Sequence, residues 1–559
     1  MKYQELIILL PCHSLEDFPT HHEGDEAQGL LANWSALWHP ALLASANAMP
    51  TWFRADSPPE DVTNKLIVVP GVSEAELPTG FAQRAENEEV CLIRDRLDRD
   101  EIVDMALANL DDAATEIDPA LVADFLALGY GYLQVELLTR QMRYSSNLDE
   151  IHFQNQLADA ATATVKGDMQ EARDRLSACF DVLAEERDHY YPVDAYILDV
   201  TLLAPTTIGQ SLRDQLAGPI PSNLLLSGEL LARIAETEPD TLAAIRHGLD
   251  NESVGIIGGE DIERRLPNLS PETVLHQLRR GIAKYESILG RRPAIFGRRR
   301  FGLTPALPQI LHKFGFEAAL HATMEEGTFP EGSQMKIRWE GCDGTTLDAI
   351  GRPPLDANKA DAYLGYAVKL GEALDMDHVA TVCFAHWPGQ TSPWYEDLRR
   401  IAAYGSVLGK FLTVEQFFRE TDIPVHQDRF EADRYRSPYL SQSARSNAAN
   451  PISSSVAYWK RRAVAEAAQS LETLAALVAG KKTKTEDAEG GPSVVATKDL
   501  LAAIDDAADE GETATTDQQL DAALENAVQR FSETLPRRPE AAETGYLVVN
   551  PHSFVRRIG

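Results

Sequence analysis

Positive charge is scarce in this chain of 559 residues: 52 lysines and arginines stand against 86 aspartates and glutamates, a formal net charge of −34. A field of that sign repels phosphate, so nucleic-acid backbone and anionic membrane are excluded as partners unless a local basic patch overrides it. Neutral and cationic ligands meet no such barrier. Cysteine is scarce too. The five, at positions 12, 91, 179, 342 and 383, are odd in number and without a close pair, which argues against a disulfide framework and against a cysteine-based zinc site. No apolar run approaches membrane-spanning length. The apolar residues 6–10 are too few, and too closely bounded by polar ones, to read as a signal peptide. The expectation is a soluble cytoplasmic protein. At 44% hydrophobic content it can bury a large core and divide into two to four domains.

What the chain does have is a strand and helix rhythm, clearest over residues 258–316. Ser253-Val254-Gly255-Ile256-Ile257 is a short apolar run that stops at Gly258-Gly259, where the backbone can turn sharply. After a charged loop, Ser270 offers an N-cap oxygen and Pro271 suits the first helical position. Val274, Leu275, Leu278, Ile282 and Tyr285 then recur at helical spacing until Gly290. The unit repeats with Ala294-Ile295-Phe296 as strand, Thr304-Pro305 as cap and first turn, and Gly315 as stop. Alternating strands and helices pair in parallel, and the loops leaving the carboxyl ends of such strands form the site. That places residues 259–269 and 297–303 there.

Other stretches extend the pattern. Residues 6–10 form an apolar strand that empties into a loop holding His13, Glu16, Asp17, His21 and His22, titratable groups of the kind that bind metal or move protons. A solvated acidic loop accounts for the same composition. Residues 25–44 read as a helix interrupted by Pro40, and residues 117–186 as a helical insertion. The rhythm resumes at residues 196–200 and 223–229, which bring Asp199 and Glu229 to strand ends as candidates. Asp343-Gly344 is a strong hairpin turn signal, and a late strand, 379–385, ends at His386-Trp387.

The order Gly258-Gly259, charged loop, Ser270-x-Glu272, a turn at Pro293, then Phe301-Gly302, Pro305, Pro308, Ile310-Leu311 and Gly315-Phe316 resembles glycoside hydrolase family 38, the α-mannosidases. The resemblance implies an α/β fold: a seven-stranded (β/α) barrel with a helical insertion over 1–421. A linker (422–455), a helical bundle with a disordered acidic insert (456–540) and the first strand of a β-sandwich (541–559) would follow. It also implies a zinc ion. The family's first strand ends in His-x-His-x-Asp, which here reads His13-Ser14-Leu15-Glu16-Asp17, with apolar Leu15 in place of a ligand histidine. The ligands to expect are His13, Glu16, Asp17 and His386. The carboxylates that correspond to catalytic positions are Glu260, Asp261, Glu263 and Asp343. At the family's nucleophile stands Arg299, within Arg298-Arg299-Arg300.

That substitution bears on mechanism. A retaining glycosidase needs a carboxylate nucleophile about 5 Å from a second carboxyl, and a guanidinium fills neither role. Three arginines between a strand and a helix suit an anion instead, so Arg298, Arg299, Arg300, Trp387 and Trp394 are read as binding an acidic sugar, the tryptophans by stacking. Internal salt bridges to Glu260, Asp261 and Glu263 would use the same arginines. Two functions stay open: a carbohydrate hydrolase with a rearranged site, and a descendant that binds a glycan or a protein without cutting.

Overall fold

The computed structural model describes residues 2–85, 88, 90–110, 117–479, 500–505, 514–535, 548–550 and 557. Its strands fall into two sheets. β1 (Glu5–Leu10), β2 (Thr51–Arg54), β3 (Lys65–Val69) and β4 (Val90–Arg94) form a four-stranded parallel sheet in the order β2-β1-β3-β4. β1 and β3 are near-continuous apolar runs because a parallel sheet is covered on both faces.

The second sheet contains β5 (Tyr196–Leu202), β6 (Ser222–Leu225), β7 (Val254–Gly258), β8 (Ile295–Phe296), β9 (Ala318–Leu320), β10 (Lys336–Glu340), β11 (Thr346–Ile350), β12 (Leu355–Asp356), β13 (Thr381–His386), β14 (Lys410–Phe411) and β15 (Gln427–Arg429). Its order is β12-β13-β5-β6-β7-β8-β9-β11-β10-β15, with β14 beside the start of β5. All pairings are parallel except the β10–β11 hairpin, whose turn is the expected Asp343-Gly344.

The seven-stranded barrel is corrected in one respect. Seven strands, β13, β5 to β9 and β11, do contribute to one apolar cluster, through Cys383, Leu198, Leu225, Ile257, Ile295, Leu320 and Ile350. The hydrogen-bonded ladder stays open, however, and β1 is not in it. Both edges of β1 are taken by β2 and β3, so it has no free backbone groups to offer the larger sheet.

The two sheets share a core through the insertion, which comprises helices Pro119–Arg143, Glu150–Val165 and Met169–Tyr190. Leu6 and Leu10 of β1, Phe125 and Leu133 of the first of these helices, and Ile197 and Phe384 of the larger sheet belong to one cluster. Pro119–Arg143 overturns the reading that no run approaches membrane-spanning length. At 25 residues it is long and apolar enough, and 83% of its most apolar window is buried inside the fold. Its hydropathy is that of a core helix.

Helix Pro271–Leu289 forms as its sequence dictates, with Ser270 accepting from the Thr273 N–H and Gly290 closing it in the left-handed region. The next helix does not start where expected. It runs Leu307–Phe314 with Ala306 at its N-cap, so Thr304-Pro305 is a turn and the arginines do not abut a helix N-terminus. Residues 422–455 contain β15, which pairs with β10, and helix Tyr439–Arg445. Helix Pro451–Val478 packs against Ala514–Thr534 through Leu471 and Ala527. The expected disordered insert and most of the sandwich strand lie outside the described residues.

Candidate functional site

The carboxyl ends of β5 to β8 open on a cavity of about 310 Å³. Leu202, Leu225 and Leu230 make its apolar wall, and Glu263, Arg299 and Arg300 reach it from the loops after β7 and β8. Exposed Glu229 and Arg233 stand at its mouth. The Arg299 guanidinium lies over the Trp387 ring, 5.5 Å from the centroid, and its Nε is 3.4 Å from Glu325. Cation and ring face each other as a stacking pair would.

The loop after β7 is fixed from two sides. Gly228 and Glu229 donate backbone N–H groups to the carbonyls of Glu260 and Asp261, at 2.8 Å each, and the Asp261 N–H donates to the Gln277 carbonyl. Helix Pro271–Leu289 crosses so near that a Cβ on Gly281 would come 2.2 Å from the Gly259 carbonyl oxygen. Only glycine fits there. On this loop all three expected carboxylates are engaged. Glu260 forms a fully buried ion pair with Arg298 at 2.9 Å. Asp261 is paired with Arg280 at 2.9 Å and Lys284 at 2.5 Å. Glu263 accepts the backbone N–H groups of Arg299 and Arg300, at 3.0 and 2.9 Å.

Glu260 is the unusual acid. Burial pushes its carboxyl up to about 7, against the opposing pull of Arg298 and with a smaller upward push from Glu263. The pair therefore sits where the desolvation of a carboxylate and its attraction to a guanidinium nearly balance. Arg298 also donates to the carbonyls of Arg264 and Arg300, which leaves it holding the loop from within rather than facing a ligand.

The residues expected to hold zinc are not gathered. His13, Glu16 and Asp17 are exposed around the short turn Leu15–Asp17, because Leu15 points into the core. Among the described residues no three histidine, cysteine, aspartate or glutamate side chains converge as metal ligands. His386 directs both ring nitrogens at protein acceptors: Nε2 lies 2.8 Å from Asp199 and Nδ1 3.0 Å from the Trp387 carbonyl oxygen. The residues present thus do not fit the zinc that the resemblance implies. Asp343 is likewise outside the cleft, in the hairpin turn, where it accepts from the Thr345 N–H and hydroxyl. Trp394 is buried in the core.

What sequence reasoning missed is the setting of Asp199. It lies within β5 opposite Phe384, facing the covering helices, and is fully buried with His386, Tyr395 and Arg399 around it. Burial would raise its carboxyl, but His386 and Arg399 hold it below the ordinary value. Burial likewise opposes charge on His386, and Asp199 outweighs it, so His386 is held above the usual histidine range. The signal in sequence was slight: an aspartate in an otherwise apolar strand.

No family model matches the chain, and a comparison with curated proteins gave no match. Among solved structures, an α-mannosidase from Enterococcus faecalis V583 is similar at a TM-score of 0.40 and 12% identity, over 61% of this chain and 41% of that one. A protein in glycosyl hydrolase family 38 from Enterococcus faecalis gives 0.37 and 13%, over 61% and 39%. A GH57-type branching enzyme from Pyrococcus horikoshii gives 0.31 and 10%, over 96% and 88%. The chain spans about two fifths of the length of the first two.

Proposed function

We propose that the chain is a carbohydrate-binding protein whose cleft at the ends of β5 to β8 takes an acidic sugar or glycan and does not cut it by the paired-carboxylate route. The observation that carries this reading is the engagement of Glu260, Asp261 and Glu263 by Arg298, by Arg280 and Lys284, and by two backbone N–H groups. A retaining mechanism needs one carboxylate free to attack and a second free to deliver a proton. What the cleft presents instead is Arg299, backed by the Trp387 ring, with Arg300 and Arg233 on the same lining. Such a surface recognises a carboxylate or sulfate on a sugar. The resemblance to family 38 in the motif run supports the sugar; the arginine at the nucleophile position supports the acid.

The test is binding of a hexameric oligouronate by calorimetry, beside hydrolysis of an aryl α-mannoside. The expected result is binding weakened roughly tenfold by Arg299→Ala, the loss of one charge-assisted contact, and no turnover. Turnover that disappears in Glu260→Gln would overturn the reading in favour of a rearranged hydrolase.

A further inference from the structure

A larger cavity, about 630 Å³, lies on the flank of the second sheet between helices Gln210–Leu216 and Pro393–Tyr404. Its volume is that of a small-molecule site. Its inner end carries a buried cation. Arg399 lines the cavity, is 9% exposed, and forms no salt bridge among the described residues; Tyr395, Asp199 and Glu396 are the partners that hold its charge against the cost of burial. Asp199 already has His386 Nε2 at 2.8 Å, and the other ring nitrogen of His386 lies 3.0 Å from the Trp387 carbonyl oxygen. Arg399 thus shares one buried carboxylate with His386. Gly218 leaves the guanidinium its room, for a Cβ there would come 3.0 Å from Arg399 Nη2.

The wall adds an acceptor in want of a donor. Gln215 gives its amide N–H groups to the hydroxyls of Thr201 and Ser222, at 2.6 and 3.2 Å, which leaves its buried Oε1 without a partner. Nearer the mouth, Asp214 and Glu396 accept from Gln210 and Thr391 and keep free lone pairs. Arg400, Asp124 and Tyr404 satisfy one another on the outer side. A donor fork inside and carboxylates at the rim call for one anionic group placed inward and hydroxyls toward the mouth. The rim carboxylates and the overall charge of −34 penalise a dianion more than a monoanion, which favours carboxylate over phosphate.

We infer that this flank cavity binds a small hydroxylated carboxylic acid, the size of a sugar acid, with its carboxylate on Arg399 and hydroxyls donating to the rim carboxylates Asp214 and Glu396. The site is separate from the cleft and does not depend on the reading given to it.

Calorimetric titration of the full chain with glucuronate, glucose and inorganic phosphate tests the inference. The expected result is glucuronate binding that persists in Arg299→Ala, with glucose and Arg399→Met each weaker by about tenfold or more, the scale of a lost charge-assisted pair. Where Arg399→Met does not fold, as circular dichroism would report, Asp214→Trp decides, since its indole fills the mouth without touching the buried groups and is expected to lower affinity to the same degree. Glucuronate binding untouched by these variants, glucose binding as tightly, or phosphate binding more tightly would each overturn it. So would loss of glucuronate binding in Arg299→Ala, which would put the ligand in the cleft.

Discussion

The loops after β7 and β8 and the flank cavity beside β13 treat buried charge in opposite ways. In the loops every carboxylate has a cation or a pair of N–H groups, and the principal cation, Arg298, is closed in by Glu260 and two carbonyls. At the flank Arg399 has no ion pair among the described residues and draws on Glu396 and on Asp199, which His386 already holds, and Gln215 Oε1 has no hydrogen-bond partner. A satisfied network holds a backbone still, whereas an unsatisfied one leaves free energy to be gained by a ligand. Motif position and unmet polar groups thus point to different places in one molecule.

The comparison breaks most visibly at Glu260. Glu260→Gln leaves Arg298 buried and unable to neutralise, and should cost about 3–5 kcal/mol in urea unfolding. Arg298→Met should cost clearly less, because Glu260 can take up a proton. In the parent the sign follows from a folded value near 7 against 4.5: the group binds its proton more tightly when folded, so its contribution falls as pH rises from 4.5 to 7. Glu260→Gln should remove that slope. Gly281→Ala comes next, at about 1–3 kcal/mol for overpacking, since the new methyl meets backbone. A cost near zero would show that the loop after β7 is not held there.

At the flank the Asp199–His386 pair should bound a pH window. His386 is raised above 6.5, so its contribution is complete below that pH and fades as pH rises through the folded value. Asp199 is lowered below 3.8, so its contribution is lost as pH falls through the folded value. His386→Gln should flatten the alkaline limb of unfolding midpoint against pH. The smallest effect is expected for unliganded Arg399→Met, within about 1 kcal/mol of the parent, because it replaces a buried cation that has no ion pair among the described residues by an apolar chain of similar length. A loss as large as that of Glu260→Gln would mean that the flank is as fully compensated as the loops.

Much of the scaffold was legible in the sequence. Ser270, Pro271 and Gly290 delimit their helix because cap chemistry is local, and Asp343-Gly344 specifies its hairpin for the same reason. β2 and β4 were not foreseen, since four or five residues of mixed polarity give no period to read, and with them went the reason that β1 leaves the larger sheet. The site residues divide along the same line. Arg298 and Glu260 lie on successive strand ends, which topology alone brings together. Asp199, Gln215, His386 and Arg399 meet only because β5 pairs with the far later β13, a register that no local signal encodes. Leu15 was read correctly as apolar, but only the fold shows that its turn leaves His13, Glu16 and Asp17 in solvent.

β13 ends at His386, which lies against Asp199 beside the flank cavity, and the next residue, Trp387, lies under Arg299, which lines the cleft. One peptide bond thus joins the two rooms. If a guest in one shifts that strand end, thermodynamic reciprocity requires the other room to answer by the same factor in either direction.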